Sequence, residues 1–205
     1  MRRSEAPPPA EEHLELAAKV QRGIQRFYRL EEVPSVGPFI KVARRGEREA
    51  VRIRQAYDGA VEIEVRTPPP STTHRLDALC QIIEGVSHFV YLADRARRSL
   101  PATQLELELQ AEIDKYMLLV LSKASFDVEL ARQLHTQLYE RVQFAHPEGT
   151  ELGDRYRLAN DLAARFVHRL QVAYAQKGRR AELRDAMARF YGMGQAEKIR
   201  YARAA

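Results

Sequence analysis

"TQLELELQAEIDKYMLLVL", residues 103–121, decides how this chain folds. Leucine and glutamate alternate from Leu105 to Leu109, as they would in a strand. The run is too long for one strand, and it is rich in strong helix formers. On a helical wheel it has two apolar faces. Leu105, Leu109, Ile113, Tyr116 and Val120 make one; Leu107, Ala111, Leu118 and Leu121 make the other. A helix apolar on two sides belongs in the middle of a fold. Thr103 and Glu106 have the spacing of a capping box, which marks its start.

Upstream, "CQIIEGVSHFVYL" at 80–92 belongs to a helix near 73–98. Asp77, Gln81, Glu84, His88, Tyr91 and Arg95 fall in one polar stripe about 80° wide, opposite an apolar half. Glu84 and His88 are an i,i+4 pair in the favourable order. They read as a surface pair or an inter-helix polar contact. A metal site there would need ligands from another element. Cys80, the one cysteine, reads as a small core residue. Downstream, helices are expected near 103–122, 127–143, 152–176, 180–190 and 195–203. Between them lie "KASFD", "AHPEGTELGD", Gly178 and "GMG".

Residues 1–10 hold three consecutive prolines and are expected to stay outside the fold. A helix begins at Glu11, with Leu14, Leu16, Ala17, Val20, Ile24 and Phe27 on its apolar face. Residues 39–66 alternate as strands. A two-residue turn at "DG" would set Arg54 against Ile63. A three-residue turn, Tyr57-Asp58-Gly59, instead pairs Ile53 with Ile63 and Val51 with Val65, and sets Arg54 and Arg52 opposite Glu62 and Glu64. The expectation is a three-stranded antiparallel meander with one dry face, covered by the first helix. "TPPPSTT" at 67–73 reads as a linker. The fold class is therefore α+β, an N-terminal helix plus meander followed by a larger helical bundle. The expected units are 11–66, the linker 67–73, 74–176 and a basic helical segment 177–205.

The net charge is +5, and all of that excess sits in residues 177–205, which hold eight bases and three acids. Arg179, Arg180, Arg184, Lys198 and Arg200 form a candidate contact surface for an acidic partner or for phosphates. Three further residues are polar among apolar neighbours. Glu112 edges one face of the 103–121 helix, His135 falls with Ala131 and Tyr139, and Arg155 falls with Leu162 and Phe166. Together they make a candidate inter-helix pocket, or a structural polar network.

Phosphate-binding glycine loops, nucleophile elbows, H-E-x-x-H, EF-hands and repeated Glu-x-x-His are all missing. No pattern names a catalytic residue, a metal ligand set or a cofactor. The N-terminus lacks an apolar core for a secretory signal, and the longest apolar run is far too short to span a bilayer. The expectation is a cytoplasmic, non-catalytic protein-interaction or regulatory module. The alternatives are a ligand- or metal-binding protein or enzyme using the Glu112 pocket, and nucleic-acid binding through the C-terminal helices.

Overall fold

Helix α3 (Gln104–Tyr116) starts where the capping box sets it. Thr103 Oγ1 accepts from the Glu106 amide, and the Glu106 carboxylate accepts from the Thr103 amide. The helix runs on into a π-helical turn, Met117–Leu121. Around it the computed structural model describes residues 10–31, 33–43, 50–55, 61–68 and 75–204. The remaining elements are α1 (Glu11–Tyr28), β1 (Ile40–Val42), β2 (Ala50–Gln55), β3 (Val61–Thr67), α2 (Arg75–Arg97), α4 (Val128–His135), α5 (Glu151–Ala173), α6 (Arg180–Gly192) and α7 (Gln195–Arg203). A second π-helical turn, Thr136–Glu140, extends α4.

α3 is central. α2 and α5 both pack on it, and α7 packs against α5 and α3. Leu107, Leu109, Ala111, Ile113, Tyr116, Val120 and Leu121 are all buried, so both apolar faces of the wheel are covered. α1 packs on α2 and α6 through Ala17, Val20, Ile24 and Phe27. Buried apolar side chains from Ala17 to Ala202 join in one cluster that includes α1, the sheet and the helices. The basic segment 177–205 is part of it: Leu183, Met187, Phe190, Tyr191 and Ala202 are buried there.

The α+β class stands, but the sheet is not an antiparallel meander. Its order is β1-β3-β2, with β1 parallel to β3. The β2–β3 register is the one expected, with Ile53 opposite Ile63, Val51 opposite Val65, Arg52 opposite Glu64 and Arg54 opposite Glu62. β1 pairs with β3 instead of its sequence neighbour, putting Ile40 and Val51 on either side of Val65. Val65 is fully buried as a result. Alternation marks which face of a strand is dry; it does not say which edge the next strand joins. The cover also differs. The sheet packs chiefly on α2, with Phe39 against Phe89 at 5.0 Å, and α1 reaches it where His13 Nε2 meets Thr67 Oγ1 at 2.7 Å. The expected turn at 57–59, most of the linker and residues 1–9 lie outside the described residues.

Candidate functional site

Two buried polar groups flank α3. In the first, α2 contributes Glu84 and His88, and α3 contributes Glu108, Glu112 and Lys115. All five lie one turn apart along facing helices, so packing α2 on α3 brings them together. Lys115 Nζ sits 2.7 Å from Glu84 and 2.8 Å from Glu112. His88 Nε2 lies 3.7 Å from the Glu108 carboxylate. Burial disfavours the Lys115 ammonium, but Glu112 and Glu84 outweigh it and hold its pKa well above the ordinary lysine value. Burial pushes His88 down to about 4, with Lys115 pushing the same way. Burial, with Glu84 nearby, pushes Glu108 up to about 8, against the pull of Arg155 and Lys115. At neutral pH, then, Glu108 holds its proton and His88 is neutral.

This arrangement settles the placement of the Glu84–His88 stripe. It is an inter-helix contact, buried by α3. It also separates the three residues proposed to form a pocket. Glu112 belongs to the Lys115 pair. Arg155 acts electrostatically on Glu108 and lies 3.5 Å from Glu151 of its own helix. His135 stands apart at the α4–α5 contact, with Nδ1 3.3 Å from Glu140 and Nε2 3.4 Å from the Ala164 carbonyl. Its ring packs on Tyr139, whose hydroxyl donates to the Glu112 carbonyl at 2.9 Å. His135 is a neighbour of the group rather than a member. Among the described residues no three His, Cys, Asp or Glu side chains are placed to hold a metal. Two shallow depressions run along the outer side of α1, and neither is lined by Glu112, His135 or Arg155. Burial raises Cys80 to about 12, consistent with an unreactive thiol.

The second group centres on Asp114, on another side of α3. Tyr28 and Ser87 each donate to its carboxylate at 2.6 Å, and Gln110 donates at 2.9 Å. Burial raises Asp114 to about 6, although these three bonds and Lys198 pull it down. Lys198 of α7 donates to Gln110 Oε1 at 2.7 Å. Burial lowers Lys198 to about 7, against Asp114 and Glu106, which raise it. Lys198 belongs by sequence to the basic C-terminal surface, yet in the fold it is fully buried. It shares a helical line with Ala202, four residues on, which is also buried. Glu106, beyond its capping role, accepts from Tyr91 at 3.3 Å and from Arg95 at 3.5 Å.

Sequence reasoning missed Asp114 and Glu108, and it placed Lys198 on the contact surface instead of in the core. The signal for the first two was present. Acids inside a helix that is apolar on two sides have little surface left to occupy.

The other C-terminal bases divide. Arg179 pairs with Glu182 at 3.0 Å, and Arg180 donates to the Lys123 and Ala124 carbonyls. Arg184 lies 5.7 Å from the Phe27 ring. The three acids of this segment have partners at the surface: Glu182 with Arg179, Asp185 with Arg29, and Glu197 with the Gly194 amide. Arg184, Arg189, Arg200 and Arg203 are exposed, without a carboxylate partner among the described residues.

No family model matches this chain, and no curated protein or solved structure matches it. No described helix is long and apolar enough to cross a membrane.

Proposed function

We propose that this protein is a non-catalytic interaction module of the cytoplasm, with a helical scaffold presenting arginines of α6 and α7 to an acidic protein partner. One observation carries the reading. The acids of residues 177–205 each have a surface partner within the chain, while Arg184, Arg189, Arg200 and Arg203 are exposed with no carboxylate partner among the described residues. Such bases steer and hold an acidic surface. Removing 177–205 outright would also remove buried core residues, so charge reversal is the suitable test. The variant R184E/R189E/R200E/R203E should keep its thermal midpoint and lose its partners in quantitative cross-linking from cells. Retention of every partner sinks the proposal. Tight, steeply salt-dependent binding of DNA or RNA by the natural protein would replace it with nucleic-acid recognition.

A second reading has its own support. His88 Nε2 and Arg155 Nε are buried without a hydrogen-bond partner beside Glu108. A small polar ligand reaching either nitrogen would satisfy it. Thermal shifts with small anions and divalent metals test it, because a ligand at a hundred times its Kd stabilises by about 2.7 kcal/mol. No shift with any of them removes this reading.

A further inference from the structure

Lys198 is enclosed like a bound ligand. Its Nζ lies 4.7 Å, 4.9 Å and 5.8 Å from the ring centroids of Tyr91, Phe190 and Tyr191. All three are within the roughly 6 Å over which an aromatic face attracts a cation. Gln110 Oε1 accepts the ammonium hydrogen bond at 2.7 Å, and the Gln110 amide is held in turn by Asp114. The walls come from α2, α3 and α6, and other contacts brace them. Tyr28 stacks on Tyr191 at 4.5 Å, and Tyr91 meets Tyr191 edge-on at 5.2 Å. The Tyr191 hydroxyl is buried in this wall with no hydrogen-bond partner, so the cage has polar capacity that Lys198 does not use.

A buried charge is a costly way to fill space, since an apolar side chain of similar volume would need no desolvation. Three rings and a carbonyl oxygen around one nitrogen make a cage that attracts a cation, against the desolvation that lowers the Lys198 pKa to about 7. The element that delivers this group is short and C-terminal to the rest, with Ile199 and Tyr201 packed on the core and Arg169 over the Tyr201 ring at 4.3 Å. In α7 only Lys198 and Ala202 are buried. Gln195 meets Thr103, and Tyr201 rests on Phe166 and Phe190. Met193 and Gly194 join α7 to α6, and both are in extended conformation. Terminal elements with few buried contacts open at lower free energy than the core they cover.

We propose that the cage is a binding site for alkylammonium groups, that Lys198 is its built-in occupant, and that α7 swings away when an outside ammonium group competes. The ligand class is a primary ammonium on an alkyl chain, either a lysine side chain of another protein or a free amine. The cage is separate from the exposed arginines of α6 and α7.

Hydrogen exchange on the full chain tests this, comparing n-butylammonium chloride with sodium chloride at equal concentration. The α7 amides should exchange several-fold faster in the amine, with α5 unchanged. K198A empties the cage, and n-butylammonium should raise its Tm where n-butanol does not. K198M, which fills the space without charge, guards against a K198A variant that fails to fold. In K198M, whose uncharged thioether competes less well for the rings, the amine should accelerate α7 exchange at a lower concentration than in the natural protein. A short lysine peptide acting below the concentration of n-butylammonium assigns the site to protein-borne lysines; the reverse order assigns it to free amines. Equal α7 exchange in the two salts overturns the proposal. So does α7 exchange in K198M that is no more sensitive to the amine than it is in the natural protein.

Discussion

The Tyr28 hydroxyl of α1 donates to the Asp114 carboxylate of α3 at 2.6 Å. Ser87 of α2 donates to the other carboxylate oxygen at the same distance. Three helices therefore meet at one buried side chain. A hydrogen bond to a charged group is worth about 1.5–3 kcal/mol, and Y28F should cost that much in urea unfolding. D114A should cost more, because it strands the Tyr28, Ser87 and Gln110 donors together. A Y28F protein within about 0.5 kcal/mol of the natural one, the range of ordinary surface changes, would show that Asp114 does not organise the helices.

Lys115 stands between Glu84 and Glu112. Removing one member of a buried ion pair leaves an uncompensated charge, so K115M should destabilise by about 3–5 kcal/mol. The triple variant E84Q/E112Q/K115M should recover most of that loss. If it is no more stable than K115M alone, the charges are not what the lysine compensates.

Glu108 gives the protein a pH dependence with a definite sign. Its folded pKa, about 8, lies above the ordinary carboxylate value of 4.5. Its contribution to stability is therefore fully present below about pH 4.5 and is lost as pH rises through 8. E108Q cannot ionise, so its advantage over the natural protein should grow between pH 5 and pH 9, reaching on the order of 1–3 kcal/mol. Lys198 has the opposite slope. Its folded pKa of about 7 lies below 10.5, so stability present above 10.5 is lost as pH falls to 7. Midpoints for E108Q and K198M across pH 5–10 separate the two. A pH-independent difference for E108Q would refute the buried-acid assignment.

Two glycines should respond differently to alanine. A Cβ on Gly153, near the start of α5, would lie 1.9 Å from the Pro147 carbonyl oxygen. The 141–150 segment would have to move, and G153A should cost about 2 kcal/mol or more. A Cβ on Gly23 meets only the Leu118 Cδ2 methyl, at 2.7 Å. That methyl is the end of a rotatable side chain, and alanine gains up to about 1 kcal/mol of helix propensity. G23A should therefore stay within about 1 kcal/mol of the natural protein by thermal or urea melts. Equal effects at the two sites would mean that the loop approach to Gly153 is absent in solution.

The helices, the Thr103–Glu106 capping box, the β2–β3 register and the central position of α3 were all legible in the order of residues. Each depends on side-chain period along one segment, and period is local. The rest was decided by what stands opposite. A wheel puts Glu84 and His88 on one stripe, but only the arrival of α3 with Glu108 and Lys115 turned that stripe into a buried one. Alternation marked β1 as a strand, yet the edge of β3 chose its partner. Lys198 looked like one more base on a charged terminus until Tyr91, Phe190 and Tyr191, from two other helices, closed around it. A sequence fixes the angle at which a side chain leaves its helix; the dielectric and the partners it meets come from elements distant in the chain.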